Sequence, residues 1–298
     1  MTAHVSRAKL IAAFAAIYII WGSTYLAIKF AVESIPPFMV GATRFLIAGS
    51  VLYGWARWQT GIKPTRKQWL DGLLLGVFLL GVGNGCVVWA QQRTPSGITA
   101  LIVAIVPLLV VLIDWWRPGG KNPGAAAILG VVIGLAGMAL LIGPSALFGA
   151  GDIAPMAALV LLAGSLSWSA ATVFGKRASV PPAPLLASAI QLLGGALSLT
   201  LVSVIAGELT RVQPAEIPLR ATLSVLYLIV FGSIIAFSAY SWLLRVAQPA
   251  KISTYAYVNP IVAMFLGWAF AGEEMSARVL IAAAVVLTGV ALITRKRQ

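Results

Sequence analysis

The side chains with chemistry to offer are few, and most lie in apolar surroundings. One histidine, His4, and one cysteine, Cys86, supply neither a metal ligand set nor a thiol pair. Eight carboxylates occur in 298 residues, near the ends of apolar runs, so the acid pair or the Ser–His couple of a hydrolase is missing. What remains is aromatic and hydrogen-bonding. Trp21 and Trp168 stand inside apolar runs, with Tyr25 one turn beyond the first. Asn84 sits within Gly81-Val82-Gly83-Asn84-Gly85, and Gln191 interrupts another run. Ser253, Thr254, Tyr255, Tyr257 and Asn259 crowd into seven residues just before Pro260. Arg44 alone among the basic residues lies well inside a run. Such groups are costly against lipid, so they should face protein or water. Their chemistry is stacking, hydrogen bonding and charge recognition of a small molecule, not bond breaking.

The elements that position them follow from composition. The chain is 60% hydrophobic and only 10% charged, with mean hydropathy +0.96. Soluble domains carry about 25% charged residues, so a polytopic membrane protein is expected and a soluble enzyme is excluded. Ten runs are long enough to span: 8–29, 38–57, 70–91, 95–115, 124–143, 154–175, 184–206, 221–243, 250–271 and 277–294. Helix-stopping residues divide them: Pro36–Pro37, Gly61 to Pro64, Pro118–Gly119–Gly120, Gly143–Pro144 and Pro181–Pro182. The longest polar stretch is Gly207 to Arg220, and the least marked divide is Gln91 to Pro95.

Charge sets the expected orientation. With a cytoplasmic N-terminus, alternation puts 15 basic residues and two acids inside, against five basic residues and six acids outside. This positive-inside bias places both termini in the cytoplasm of a multi-pass inner-membrane protein. It also explains the net charge of +13 without a nucleic-acid partner. A cleaved leader at the first span is the alternative, which the internal repeat argues against.

The halves repeat. Trp21 is followed by Lys29 at eight residues and by Pro36–Pro37; Trp168 is followed by Lys176 at eight and by Pro181–Pro182. Gly49 stands twelve after Pro37, and Gly194 twelve after Pro182. Pro107 precedes Trp115 and Gly119 at the spacing by which Pro260 precedes Trp268 and Gly272. Gly137-Met138-Ala139-Leu140 matches Gly289-Val290-Ala291-Leu292. Five spans per repeat is odd, so the second repeat must be inverted, the architecture of many secondary transporters. The expected units are residues 1–145 and 146–298, all-α, packed around a central cavity with no soluble domain.

These residues resemble the EamA-type branch of the drug/metabolite transporter superfamily, and more narrowly its YedA-like exporters. The resemblance covers essentially the whole chain. It rests on Ile20-Trp21-Gly22-Ser23-Thr24-Tyr25, Arg44-Phe45-Leu46, Pro95-Ser96-Gly97, Tyr255-Ala256-Tyr257-Val258-Asn259-Pro260 and Gly272-Glu273. It implies a ten-helix inner-membrane exporter of amino acids, related metabolites or drugs. Two departures matter. The superfamily's small multidrug members use a carboxylate in their first helix, and none lies between Leu10 and Lys29 here. Sugar-phosphate relatives grip a dianion with several interior basic residues, and Arg44 stands alone.

The expected substrate-binding residues are therefore Trp21, Tyr25, Asn84, Trp168, Gln191, Tyr255, Tyr257 and Asn259. Each also has a structural reading: an interfacial tryptophan, an interhelical hydrogen bond, a kink. Arg44, Pro107, Pro260 and Glu273 are expected to gate or shape the site, with Arg44 pairing Glu33 or Glu273, capping carbonyls or meeting a substrate carboxylate. Asn84 is expected to bond across helices. The expected partners are a small-molecule substrate and membrane lipid, with a proton or an exchange substrate as candidates for coupling. No cofactor is implied, and a monomer suffices. The chief alternative is a multidrug or nucleotide-sugar carrier. A membrane sensor or an intramembrane enzyme is more remote.

Overall fold

A computed structural model describes residues 6–120, 122, 124–142, 155–247, 252 and 254–295. Seven helices among them are long and apolar enough to span a membrane: α1 (Arg7–Val32), α2 (Pro37–Thr60), α3 (Arg66–Ala90), α4 (Ser96–Trp116), α6 (Pro155–Arg177), α7 (Pro184–Ile205) and α8 (Leu219–Tyr240). Three shorter apolar helices complete the set: α5 (Ala125–Leu141), α9 (Tyr255–Ala271) and α10 (Ala277–Leu292). The expected divide at 145/146, Ser253 and the first residues of the expected ninth span, 250 and 251, lie outside the described residues.

Local sequence explains the boundaries. Pro37 and Pro184 open α2 and α7, where a missing N–H costs nothing. Gly61 ends α2 at φ 65°, and Gly272 ends α9 at φ 64°. α3 begins four residues before the expected span. A reciprocal capping box between Thr65 and Gln68 starts the helix in its polar turn, ahead of the apolar run.

The packing has a two-fold character. α2 packs on α7, α5 on α10 and α4 on α9, each helix against its own repeat counterpart. Several further contacts come in exchanged pairs. α1 packs on α8 as α6 packs on α3; α1 on α9 as α6 on α4; α2 on α8 as α7 on α3. Advancing every helix by five maps this set onto itself, as an inverted duplication requires. The α3–α7 crossing is backbone on backbone. A Cβ at Gly76 would strike the Gln191 carbonyl, and one at Gly194 would strike the backbone of Leu73. The fold is thus all-α and polytopic, with two inverted five-helix repeats. Its outward faces expose large apolar residues such as Leu197, Leu201, Phe265 and Leu280, as lipid contact demands.

Among the described residues three helices change pitch partway along their length. α1 has a π-helical stretch at Ala16–Ile20, α3 at Val77–Asn84 and α8 at Leu228–Ile235. α3 and α8 are repeat counterparts. π-Stretches misalign the backbone ladder and are frequent at functional sites.

Candidate functional site

The π-stretch of α3 and two proline breaks border one interior cavity of about 130 Å³, lined by residues of α1, α2, α3, α4, α6, α8 and α9. The π-stretch of α8 lies behind it and holds two lining residues, Trp21 and Arg44. Pro107 restarts α4 after turns at Ala104 and Ile105, and Pro260 lies inside α9. Neither proline has an N–H, so the carbonyls four residues back, on Val103 and Ala256, lose their ladder partners. All four residues line the cavity. Two repeat-related helices therefore place irregular backbone there, which is tolerated inside a membrane only against protein or water.

The aromatic wall is built from α1, α6, α8 and α9. Trp21 lies with its ring 5.2 Å from those of Tyr240 and Tyr255 and 5.7 Å from Phe237. Its indole N–H donates to the Gly232 carbonyl at 3.2 Å, which fixes the ring's direction. Trp168 reaches the same cavity from α6. Its placement depends on glycine: a Cβ at Gly83 would lie 3.1 Å from Trp168 Cε3, and one at Gly164 would press on Cys86.

The polar wall holds Arg44, Asn84, Ser165 and Asn259. Asn259 is buried and donates Nδ2 to the carbonyls of Tyr18 and Tyr255 at 3.1 and 3.2 Å. Tyr18 belongs to the π-stretch of α1, so Asn259 takes up a carbonyl in that irregular segment. Arg44 is 4% exposed and lines the cavity. Its Nε donates to Ser233 Oγ at 2.7 Å, and its guanidinium lies 5.0 Å from the Phe45 ring centre. Arg44 Nη1, Asn84 Oδ1 and Ser165 Oγ are buried with no hydrogen-bond partner among the described residues.

Several expectations are corrected. Arg44 pairs with neither Glu33 nor Glu273. Glu33 pairs with Arg220, and Glu273 accepts from the Ser96 and Gly97 amides and the Ser96 hydroxyl at 2.6, 3.1 and 3.0 Å. Glu273 thus caps α4, where the helix dipole favours a carboxylate. The expected interhelical bond of Asn84 is not made through Oδ1, which has no partner among the described residues. Gln191 and Tyr257 are not among the cavity-lining residues. Gln191 lies in the α3–α7 crossing, and Tyr257 donates to the Val290 carbonyl at 2.7 Å, tying α9 to α10. Trp21, Tyr25, Asn84, Trp168, Tyr255, Asn259, Arg44, Pro107 and Pro260 are brought together.

Sequence reasoning passed over Thr24, Phe45, Ser165, Phe237 and Glu208. Thr24 stands three residues after Trp21 and Ser165 three before Trp168, the helical spacing of one face. Glu208 is 3% exposed and accepts from the Phe38 and Met39 amides and from Ser203 Oγ, capping α2 as Glu273 caps α4. The signal was present: Gly207-Glu208 and Gly272-Glu273 are the same dipeptide after an apolar run, each glycine at positive φ.

Comparison with known proteins agrees with this architecture. The model of the EamA-like transporter family matches twice, over residues 8–143 and 155–295. The chain is 40% identical over 286 residues to the uncharacterized inner membrane transporter YedA of Escherichia coli strain K12, covering 96% of this chain and 90% of that one. It is 26% identical to the uncharacterized transporter YoaV of Bacillus subtilis, covering 95% of each, and 27% identical to the protein PecM of Dickeya dadantii, covering 94% and 92%. A crystal structure of a protein 22% identical superposes with a TM-score of 0.65, over 98% of this chain and 100% of that one, and shows the shared fold.

Proposed function

Since the chain belongs to the EamA-like transporter family, we propose that it exports small metabolites, foremost aromatic or other neutral, zwitterionic amino acids, across the inner membrane. Both termini are cytoplasmic in this reading, and the two five-helix repeats divide near residue 145. The observation that carries it is the cavity at the repeat interface, lined by Trp21 and Trp168 from the helices that lead the two repeats. Inverted repeats around a midplane site are suited to alternating access. The prolines of α4 and α9 and the π-stretches of α3 and α8 are where bending would cost least.

Size and charge favour this substrate class over its rivals. A volume of about 130 Å³ is near the ~150 Å³ apolar cavity that accepts a benzene ring. A nucleotide sugar needs far more room. Among the described residues the lining contains Arg44 and no carboxylate, which suits an anionic or zwitterionic group and opposes a cationic drug. Facilitated efflux, exchange and proton antiport all remain consistent with this lining. One chain contains the whole cavity, so a monomer is sufficient.

Counterflow of labelled phenylalanine in proteoliposomes tests the proposal, with unlabelled amino acids, sugar phosphates and cationic drugs as competitors. Accumulation abolished by amino acids alone is the expected result. No counterflow in folded protein would end the amino-acid reading and redirect the substrate search.

A further inference from the structure

Arg44 is the charged side chain of the cavity lining, and its environment is incomplete. The residue is 4% exposed. Nε is satisfied by Ser233, while Nη1 is buried with no acceptor among the described residues. No carboxylate lies in ion-pair range of it among the described residues, because Glu33 is taken by Arg220 and Glu273 by the start of α4. The Phe45 ring compensates only part of a buried charge. An unpaired cation inside a membrane is costly enough that a partner or a function is the default expectation.

The surroundings hold this arginine in place. Gly232 and Ser233 belong to the π-stretch of α8. A Cβ at Gly232 would lie 3.0 Å from Thr24 Cγ2 and 3.2 Å from Arg44 Nη2, so glycine leaves room for the guanidinium. The Gly232 carbonyl holds Trp21, and Ser233 Oγ holds Arg44. One turn of α8 thus orients both the aromatic wall and the cation.

We infer that Arg44 Nη1 receives the substrate's carboxylate, with Ser233 as the residue that positions it. The inference rests on the amino-acid reading above and adds the group by which the substrate is recognised. A single guanidinium with no second lining cation matches a monoanion and not a phosphate dianion. The carboxylate would supply the acceptor that Nη1 lacks.

The experiment compares acid and amide. In counterflow, phenylalanine should compete about 10- to 100-fold better than phenylalaninamide, the range of one charge-assisted hydrogen bond. Arg44→Gln should bring that ratio close to one. Arg44→Lys, which keeps the charge, and Ser233→Ala, which frees Nε, should each lower it in part. A second readout is independent of flux. Hydrocinnamate should raise the unfolding temperature of the purified protein, hydrocinnamamide should not, and Arg44→Gln should abolish the difference. If wild type carries no phenylalanine but keeps this acid-specific, Arg44-dependent stabilisation, the amino-acid reading fails and the role of Arg44 stands. Equal effects of acid and amide on wild type, or no effect of either, overturn the inference. So does a ratio that survives Arg44→Gln or, where that variant does not fold, survives both Arg44→Lys and Ser233→Ala.

Discussion

The π-stretches of α3 and α8 are the same device put to two uses. Each is eight residues long with glycine at its fifth position, Gly81 in one and Gly232 in the other. They diverge in what they hold. Gly81 faces the hydroxyl of Ser198 on α7, and the α3 stretch ends in Asn84, whose buried Oδ1 has no partner. Gly232 faces Arg44 and Thr24, its carbonyl accepts from Trp21, and the next residue accepts from Arg44. Duplication supplied the irregular backbone twice; a few side chains decide that one copy holds Trp21 and Arg44 while the other ends in the cavity-lining Asn84.

Substitutions can break or sharpen that contrast. The largest effect is expected from Gly232→Val, which would press on Arg44 and Thr24 and lower phenylalanine counterflow about 100-fold, the scale for moving a positioned group by ~1 Å. Gly81→Val meets a side chain that can rotate and should cost less than about 10-fold. Equal losses would show that the two stretches are not specialised. Next, Trp168→Ala should weaken phenylalanine affinity about 10-fold, by loss of stacking and apolar contact. Trp21→Phe keeps a ring but loses the bond to Gly232, about 1 kcal/mol or roughly 5-fold. The smallest effects separate stability from binding. Ser233→Ala leaves the Arg44 Nε buried without its acceptor and should cost about 1–3 kcal/mol, read as a lower unfolding temperature in detergent. Asn84→Ala removes an oxygen that has no hydrogen-bond partner among the described residues. It should change stability by less than about 0.5 kcal/mol while weakening phenylalanine several-fold. A destabilised Asn84→Ala would make that residue structural.

Much of the site was legible because duplication writes a position twice. Trp21 with Trp168 and Pro107 with Pro260 stood out as matched pairs, and all four line the cavity. Residues without a counterpart were harder. Gln191 and Tyr257 look like Asn84 in sequence, each a polar group in an apolar run. Hydropathy cannot tell a face turned to the cavity from a face turned to the next helix. Arg44 was legible as an intramembrane charge, but its neighbour was not. Serine at 233 carries no charge signal and lies 189 residues away.

The sequence by itself determined membrane residence, the helix count, the inverted duplication and the two proline breaks at Pro107 and Pro260, but not the π-stretches. These follow from periodicity, hydropathy and proline chemistry, which act within a few turns of chain. Only the tertiary structure decided which carboxylates are already occupied capping α2 and α4, that Arg44 lines the cavity with its Nη1 unpartnered among the described residues, and that α8 holds both Trp21 and Arg44. Those outcomes depend on which helices cross and on which face. Interhelical contact inside a membrane is chosen by close packing and hydrogen-bond geometry, because apolar burial is the same against lipid as against protein.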